Sequence, residues 1–515
     1  MSAIVIGGGH NGLVAAVYLA RAGVEVTVLE ASETPGGCVW TEELPGEAIA
    51  ERGAVDHGGI AAIAADLGLD AFGLEYVERD RLQTVLFGDG ERRVFEVSAE
   101  ETAAGFGADA AAYLELVRQA RSFFSVLDGF ASPPTMTELA AVLNGLRGGD
   151  TTFRMLLSSA EAVLERTFSD PHLRASLALY AAHGQIPAWA PGSGMLALLL
   201  PSMHGEPAVR PVGGSRALVS ALVAALEAAG GKVRTGAEVT GLERVGDTGY
   251  AVTLADGDRL TADKVISTLD VKRTTNLLTA PPDAMRRAAD SVTSGRFNVC
   301  ELTISLTGLT PPEPFADPTG PLCFVQDRLE DLRRGFGDVI AGRLPGSPWA
   351  MAIGAGTGMW ISSVVPLRRA DGPWTPALEE QAAERVLASV SKVLGTDLSG
   401  DVLVTGPAAW SQRLHGDGNP NHLDLSVDQL LGWRPPGLRA PRTPLPGLYL
   451  AGAGTHPGGG LSGVSGRTAA TALLTDTGRR PAAEKPWTRA RQEASGLWSG
   501  LRAYRAMRAT ERKSR

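Results

Sequence analysis

The first dozen residues constrain the fold more than any other stretch of the chain. Three β-branched residues, from Ile4 to Ile6, run directly into the loop Gly7-Gly8-Gly9-His10-Asn11-Gly12, and an Ala-rich amphipathic segment follows from Leu13 to Arg21. A strand, a G-x-G-x-x-G turn and a helix in this order open a dinucleotide-binding fold. The first glycine allows the turn, the second lets the backbone approach a pyrophosphate, and the third lets helix and strand pack closely. We therefore predict a helix whose N-terminus faces an anion.

An acid follows at the spacing that this fold requires. The segment from Val24 to Leu29 alternates as a strand does, and Glu30 lies 18 residues after Gly12. A carboxylate at that point accepts hydrogen bonds from the ribose hydroxyls of an adenine nucleotide. The pair Gly36-Gly37 comes soon afterwards. A nicotinamide-dependent dehydrogenase has no need of this pair, whereas a flavoprotein wraps a second loop around its dinucleotide, so we predict FAD as the cofactor.

Length, charge and cysteine content bound the class of protein. At 515 residues, with 44% hydrophobic and 20% charged residues, the chain is too long for one hydrophobic core, so at least two domains are expected. A net charge of −9 gives no reason to expect nucleic acid as a partner. Cys38, Cys300 and Cys323 form no C-x-x-C pair, which fits a reducing compartment. No apolar run reaches the roughly 18 residues of a membrane span, and the first strand leaves no room for a leader, so we expect a cytoplasmic protein.

The nucleotide-binding pattern is interrupted twice. Within residues 74–205, helical periodicity dominates the stretches 109–124, 135–146, 153–167 and 170–182, and we interpret the segment as a helical insertion. Residues 281–404 combine alternating strands with a long amphipathic helix. We predict an α/β fold, α+β overall, in which a Rossmann-like FAD-binding domain is joined to a discontinuous substrate-binding domain made of a helical insertion and an antiparallel sheet. The predicted bounds are 1–73, 206–280 and 405–478 for the FAD-binding domain, and 74–205 and 281–404 for the substrate-binding domain.

Individual elements are predicted inside these segments. Residues Phe153 to Thr167 have the period of one helix, and Pro376 to Leu394 that of a long amphipathic helix. The dipeptide Asp256-Gly257 predicts a hairpin, after which Arg259 to Thr268 is expected to form one strand. The glycine-rich stretch Gly354 to Gly358 precedes a strand rather than a helix, so we interpret it as a hairpin turn.

A second strand, glycine loop and helix entry lies more than 400 residues after the first, from Pro446 to Val464. Together these motifs resemble the phytoene-desaturase-like branch of the FAD-dependent amine oxidase superfamily, which also contains the pyridine nucleotide-disulfide oxidoreductase domain protein 2 type. The resemblance covers nearly the whole chain. It rests on GGGHNG at 7–12, Glu30 with Gly36-Gly37, the turn at 211–214, a stretch between 418 and 435, and above all LYLAGAGTHPGGGLSG at 448–463.

The resemblance implies roles for individual residues. Glu30 would hold the adenosine ribose and the backbone of Val239 the adenine, while Gly452 to Thr455 would meet the pyrophosphate and ribityl chain. Leu461 to Val464 would present a helix N-terminus to the pyrimidine edge of the flavin, and Gly58 to Ile60 would approach the ring from the other side. The residues expected to bind the cofactor are Gly7, Gly9, His10, Asn11, Gly12, Glu30, Ala31, Gly36, Gly37, Cys38, Gly58, Gly59, Ile60, Val239, Gly452, Ala453, Gly454, Thr455, Leu461, Ser462, Gly463 and Val464; no metal is expected.

One residue departs from the family pattern. Cys38 stands where many relatives carry Arg after the glycine pair. Its thiol is either a covalent flavin link or, as we expect, a small buried side chain.

Flavin beneath an apolar helical cavity predicts the desaturation of a hydrophobic or polyene-like small molecule, with O2 or a quinone as the electron acceptor. The candidate proton acceptors are His57 and His456, beside flavin-facing loops, and Glu301 on a cavity strand. Three alternatives stay open at this point. They are oxidation of an amine C–N bond, redox-neutral isomerisation of a polyene, and a non-catalytic lipid- or prenyl-binding module of the same fold.

The C-terminal tail, residues 479–515, carries eleven Lys or Arg against three Glu, and its apolar residues recur every three or four positions. This pattern is typical of a basic amphipathic helix. We expect it either to pack against the acidic body of the chain or to contact an anionic membrane surface peripherally, and we favour the former.

Overall fold

The computed structural model describes residues 1–44, 49–130, 132–146, 148–183, 185–247, 249–355, 358–416 and 418–479. The basic tail from residue 480 onward lies outside the described residues. None of the helices in the described ranges has both the length and the apolar character needed to cross a membrane.

The helices of the described residues, in chain order, are α1 His10–Arg21, α2 Ala61–Asp66, α3 Ala99–Ala104, α4 Ala110–Asp128, α5 Met136–Asn144, α6 Gly149–Leu157, α7 Ala160–Thr167, α8 Pro171–Ala182, α9 Leu199–Ser202, α10 Arg216–Ala228, α11 Val271–Leu277, α12 Asp283–Ser291, α13 Asp331–Ile340, α14 Pro376–Leu394, α15 Pro407–Leu414 and α16 Val464–Asp476. The strands are β1 Ser2–Ile6, β2 Glu25–Leu29, β3 Thr41–Glu43, β4 Ile49–Glu51, β5 Tyr76–Arg79, β6 Arg81–Phe87, β7 Arg92–Glu96, β8 Ala208–Pro211, β9 Lys232–Arg234, β10 Val239–Val245, β11 Gly249–Leu254, β12 Arg259–Ala262, β13 Lys264–Ser267, β14 Val299–Thr307, β15 Leu322–Gln326, β16 Ala350–Ala355, β17 Gly358–Pro366, β18 Asp401–Thr405 and β19 Leu448–Leu450.

A five-stranded parallel sheet in the order β19-β13-β1-β2-β9 carries the glycine loop. Successive side chains of a strand point to opposite faces. On β1, Ala3 and Val5 therefore pack into the core formed with α1, α10 and α16, whereas Ile4 and Ile6 pack against the meander β10-β11-β12. Because all five strands are parallel, their carboxyl ends meet at one edge, which is where a doubly wound sheet binds ligands.

A second, larger sheet has seven strands in the order β18-β14-β17-β16-β15-β6-β7. Its neighbouring strands are antiparallel except for the parallel pair β15 and β6. One face packs against the helices between α3 and α9 in the largest hydrophobic core, and the other packs against α14 and the Trp410 side chain of α15.

The two sheets draw on different predicted segments. Residues 1–73, 206–280 and 405–478 supply the strands of the five-stranded sheet and the meander, and the two intervening segments supply the seven-stranded sheet. The division into two domains at these bounds stays a prediction. The pairing of β16 with β17 agrees with a hairpin after Gly354, although residues 356 and 357 lie outside the described residues.

Three local expectations were wrong. The insertion at 74–205 begins with three strands, β5 to β7, before its helices start, and the Asp89-Gly90 turn between β6 and β7 is the signal that would have revealed them. The predicted helix from Phe153 is two helices, since the Ser159 hydroxyl accepts a hydrogen bond from the Ala162 N–H and caps a new start. The predicted strand from Arg259 breaks at Asp263, so that its halves β12 and β13 belong to different sheets.

Candidate cofactor site

The loop between β1 and α1 has the close packing that its glycines predict. Gly7 has a φ of +98°, and a Cβ there would lie 2.1 Å from the Thr268 hydroxyl oxygen. A Cβ on Gly12 would lie 2.0 Å from the Gly7 carbonyl oxygen. Helix α1 begins after Gly9, where no side chain caps it. The N–H groups of its first turn are therefore available to an anion.

A cavity of about 350 Å³ runs along this loop, and we call it the nucleotide cavity. This volume falls in the range of small-molecule sites. The predicted cofactor residues that line it are Gly7, Gly9, His10, Asn11, Gly12, Glu30, Ala31, Gly37, Cys38, Val239, Gly452 and Ala453. The parallel sheet brings these residues together, because the loops that follow β1, β2 and β19 leave from the same edge.

Glu30 is fixed at one end of the nucleotide cavity. Its side chain is buried, and its two carboxylate oxygens accept hydrogen bonds from the Gly8 N–H at 2.7 Å and the Ser32 N–H at 2.9 Å. Each carboxylate oxygen can accept more than one hydrogen bond, so lone pairs are left for ribose hydroxyls. Val239 lines the cavity together with Glu30. This arrangement fits an adenosine ribose at Glu30.

The second glycine pair lies against the first loop. The Gly36 N–H donates to the Gly8 carbonyl at 2.8 Å, and a Cβ on Gly37 would come within 3.1 Å of the Gly9 Cα atom. Gly36 does not line the nucleotide cavity; a Cβ there would lie 2.4 Å from the Val39 carbonyl oxygen. Gly36 thus shapes the loop, and Gly37 forms part of the wall.

The C-terminal glycine loop closes the opposite side. A Cβ on Gly452 would lie 2.3 Å from the Thr268 carbonyl oxygen. Thr455 is buried, and its hydroxyl lies 2.6 Å from the Ser465 hydroxyl at the start of α16. The Cβ position of Gly454 faces Asp270, so this glycine and Thr455 support the loop without lining the cavity.

A buried arginine fixes this loop to the preceding segment. The Arg434 guanidinium is 1% exposed and donates to the carbonyl oxygens of five residues, Ala453, Asp424, Gln429, Asn421 and Leu423. Burial lowers the pKa of Arg434 to about 9, so it remains charged at neutral pH. The segment that resembled the family therefore acts as a brace for the glycine loop.

The two loops expected beside the flavin ring touch each other. A Cβ on Gly59 would lie 2.9 Å from the Leu461 carbonyl oxygen and close to Ser462, and one on Gly463 would meet Ile60 and Val14. Gly58 to Ile60 and Leu461 to Val464 are thus in contact at this point; the side of the flavin ring on which each lies stays a prediction. At the start of α16 the Ser462 hydroxyl accepts from the Val464 N–H at 3.4 Å, and the Asn11 side-chain oxygen accepts from the Gly466 N–H at 3.2 Å.

Sequence reasoning missed a cation in the nucleotide cavity. Arg413, at the end of α15, donates to the carbonyls of Gly37 at 3.2 Å and Pro35 at 3.4 Å, and to the Thr34 hydroxyl at 3.3 Å. Within the described ranges no carboxylate lies close enough to pair with it. Burial lowers the pKa of Arg413, which means that the protein alone holds this charge at a cost. An anionic pyrophosphate would supply the counter-charge.

Cys38 and the residues around it bear on how a flavin is held. Burial, assisted by the nearby Glu301 carboxylate, raises the pKa of the Cys38 thiol to about 12. A thiol in this state is not the thiolate nucleophile that a covalent link requires. The geometry therefore favours the small buried side chain over the covalent link.

The three candidate proton acceptors occupy different surroundings. His57 is 0% exposed, its Nδ1 lies 3.1 Å from the Tyr76 hydroxyl, and burial lowers its pKa to about 3. His456 lines a separate cavity with Arg434, and burial lowers its pKa to about 4. Glu301 lies on β14 and accepts a hydrogen bond from the Ser362 hydroxyl at 2.7 Å. Of the three, Glu301 interacts electrostatically with Cys38, which lies in the wall of the nucleotide cavity.

The described residues hold no group of three or more His, Cys, Asp or Glu side chains arranged to bind a metal ion. Four features together fit an adenine dinucleotide: glycines with no room for a Cβ, the uncapped N–H groups of α1, Glu30, and Arg413, which has no ion-pair partner among the described residues.

Curated relatives extend over nearly the whole chain. The hydroxyneurosporene desaturase of Cereibacter sphaeroides is 28% identical over 93% of this chain and 98% of its own length. That of Rubrivivax gelatinosus is 31% identical over 92% of this chain and 93% of its own. The pyridine nucleotide-disulfide oxidoreductase domain-containing protein 2 of Mus musculus is 27% identical over 92% and 93%.

Solved structures share the fold at lower identity. Putrescine oxidase bound to putrescine superposes with a TM-score of 0.61 at 17% identity, covering 93% of this chain and 100% of that one. Cyclohexylamine oxidase from Brevibacterium oxydans gives a TM-score of 0.60 at 14% identity, covering 93% and 99%. The model of the family described as flavin containing amine oxidoreductase matches residues 12–474. The chain belongs to this family and is an FAD-dependent oxidoreductase.

Proposed function

We propose that the protein desaturates an apolar, polyene-like small molecule by removing a hydride and a proton from neighbouring carbons. The observation that carries this proposal is the character of the seven-stranded sheet. Its helix-facing side is apolar over five neighbouring strands and belongs to the largest hydrophobic core. The side chains concerned are Val299, Trp360, Val364, Met351, Ile353, Leu322, Phe324, Val85 and Phe87.

Most polar side chains on this face are hydrogen-bonded within the protein. The Thr303 and Ser305 hydroxyls of β14 donate to the carbonyl oxygens of Arg52 and Glu51. Glu301 and Ser362 bond to each other, and Gln83, 1% exposed, has no partner for either amide atom among the described residues. A surface of this kind excludes water and suits a hydrocarbon, because a hydrocarbon carries no charge that the protein would have to neutralise. The names of the curated relatives, hydroxyneurosporene desaturase and phytoene desaturase, agree with such a substrate.

FAD, when bound, supplies the hydride acceptor at the flavin N5 atom. We propose that the residues of this chain divide the remaining work. The first-turn N–H groups of α1 and the Arg413 guanidinium hold the pyrophosphate, and Glu30 holds the ribose. The wall formed by Gly59, Ile60 and Leu461 to Val464 carries the flavin end. These roles explain why so many backbone atoms approach one another without side chains between them.

We propose Glu301 as the proton acceptor. One carboxylate oxygen takes the hydrogen bond from Ser362, and the other has no partner among the described residues. A carboxylate that is held in place with a free oxygen is suited to take a proton from the substrate carbon next to the hydride donor. His57 and His456 fit less well, because His57 is fully buried with its Nδ1 beside the Tyr76 hydroxyl and His456 lines a separate cavity.

The test is anaerobic reduction of the purified flavoprotein by a panel of donors. The polyenes would be phytoene, hydroxyneurosporene and retinoic acid, and the amines putrescine and cyclohexylamine. We expect a polyene to bleach the flavin and to yield a product that has lost two hydrogens, as measured by mass spectrometry.

The other outcomes separate the alternatives. Bleaching by amines alone would make the protein an amine oxidase, and an altered polyene of unchanged mass would make it an isomerase. A purified protein without flavin that still binds polyenes would be a binding module. The electron acceptor is proposed to be O2 or a quinone, and reoxidation rates with each would distinguish them.

A further inference from the structure

A second cavity, of about 240 Å³, lies apart from the nucleotide cavity and shares no lining residue with it. We call it the Arg210 cavity. Its lining is mostly apolar and comes from four parts of the chain. The larger apolar side chains in it are Ile49, Val55, Pro211, Val212, Pro318 and Ile353. Val212, at 43% exposed, is one of the few large apolar side chains in the described residues that face solvent.

One charged side chain in this wall lacks a counter-ion. Arg210, on β8, is 5% exposed. Its Nε donates to the Gly320 carbonyl at 3.3 Å and its Nη1 to the Val55 carbonyl at 3.1 Å, whereas Nη2 has no partner among the described residues. Within these residues no carboxylate reaches ion-pairing distance of it. Because a guanidinium stays protonated even when burial lowers its pKa, the cavity contains a desolvated positive charge.

The neighbouring acids limit the charge of any ligand. Asp56 interacts electrostatically with Arg210, and one of its carboxylate oxygens accepts a hydrogen bond from the Gly58 N–H at 3.1 Å. Glu51 lines the same cavity, and its two oxygens accept from the Ser215 N–H at 2.6 Å and the Thr41 hydroxyl at 2.9 Å. Since these two acids offset the charge of the one guanidinium, they oppose a phosphate dianion more strongly than a ligand with a single negative charge. The planar guanidinium suits a carboxylate.

The cavity adjoins the substrate side of the fold. Val55 precedes the flavin-side loop Gly58 to Ile60 by three residues, and both Val55 and Ile353 belong to the apolar core on the sheet face described above. A volume of 240 Å³ is below that of a pocket for a complete drug-sized ligand. The cavity is therefore sized for one end of a longer molecule.

We propose that Arg210 binds the carboxylate of an otherwise apolar, chain-like substrate. This narrows the substrate class of the proposed function and rests on it for the statement that the ligand is a substrate. The recognition itself is a property of the cavity and is measured without turnover.

The test compares an acid with its ester on the full-length flavoprotein. Binding of retinoic acid, methyl retinoate and retinol is measured by equilibrium dialysis for the wild type, Arg210→Met and Arg210→Lys. We expect the wild type to bind the acid at least tenfold more tightly than the ester. Arg210→Met removes this preference by weakening the acid alone, and Arg210→Lys retains part of it. Arg259→Met, at an exposed arginine of the meander, serves as the matched control and keeps the full preference.

Equal binding of acid and ester by the wild type overturns the proposal, as does an acid preference that survives in Arg210→Met. Flavin content and ester binding show whether each variant is folded. If Arg210→Met does not fold, the wild-type comparison and Arg210→Lys still decide. An Arg210-dependent acid preference without flavin reduction by any polyene would leave this recognition standing and remove the desaturase function.

Discussion

Two regions of the molecule differ in polarity. They are the carboxyl edge of the parallel sheet and the helix-facing side of the seven-stranded sheet. The first collects backbone N–H groups, glycines and Arg413, which forms no ion pair with the described residues, so it favours an anion. The second is covered by aromatic and aliphatic side chains. The difference shows how one chain separates a charged cofactor from an apolar reactant.

The largest effect is expected at Gly12. Gly12→Ala places a methyl group 2.0 Å from the Gly7 carbonyl oxygen, so the loop and α1 must separate. Overpacking of this kind costs about 1–3 kcal/mol of folding free energy, and we expect the purified protein to lose its flavin. Visible absorbance per protein and thermal unfolding measure the two effects. Gly337→Ala is the control, since nothing lies within 4 Å of a Cβ there. Full flavin content in Gly12→Ala would contradict the claim that close packing at Gly12 shapes the cofactor-binding edge of the parallel sheet.

The next largest effect is expected at Glu301, a charged residue on the helix-facing side of the seven-stranded sheet. Glu301→Gln keeps the hydrogen bond with Ser362 but cannot accept a proton. General base catalysis typically contributes about 10²- to 10⁴-fold. We expect flavin reduction to slow by at least about 100-fold with unchanged flavin content, measured by stopped-flow absorbance. Ser362→Ala, which frees the carboxylate, should slow reduction less. Unchanged reduction in Glu301→Gln would remove this residue from the mechanism.

A smaller effect is expected at Arg413. Arg413→Met removes the cation from the nucleotide cavity, and hydrogen bonds to charged groups are worth about 1.5–3 kcal/mol. We expect FAD to bind about tenfold to a hundredfold more weakly, with a weaker dependence on salt. Fluorescence titration of the apoprotein with FAD measures both, and Arg413→Lys should be intermediate. Arg334→Met, on exposed α13, is the control. An unchanged affinity in Arg413→Met would show that backbone donors alone hold the pyrophosphate.

The smallest effect is expected in the pH dependence of stability. His57 has a folded pKa of about 3 against the ordinary 6.5, so the unfolded chain binds the extra proton between these values. Its contribution to stability is complete above pH 6.5 and is lost as the pH falls, by about 1.4 kcal/mol per pH unit. Unfolding in urea between pH 7 and pH 5 should therefore show a shallower slope for His57→Gln. His183→Gln, at an exposed histidine, should keep the wild-type slope. Equal slopes would mean that His57 is solvated in the native state.

The nucleotide cavity at the carboxyl edge of the parallel sheet was predictable, because the sequence motifs that form it are local. A glycine that must avoid a Cβ clash, or an acid that ends a strand, is specified by a few adjacent residues such as Gly7, Gly12 and Glu30. The strands β5 to β7 were missed because the stronger helical period of the following residues concealed them. The split of one helix at Ser159 depends on a single cap, which periodicity does not show.

The sequence by itself determined the cofactor, the class of fold and the loops that follow β1, β2 and β19, because each of these is a property of consecutive residues. Only the tertiary structure decided that Arg413 faces the nucleotide cavity and that Arg434 supports the last glycine loop. It also decided that Arg210 is buried with no ion-pair partner among the described residues. An arginine carries no local mark of its counter-ion. Whether it is paired depends on which carboxylates the fold brings within reach.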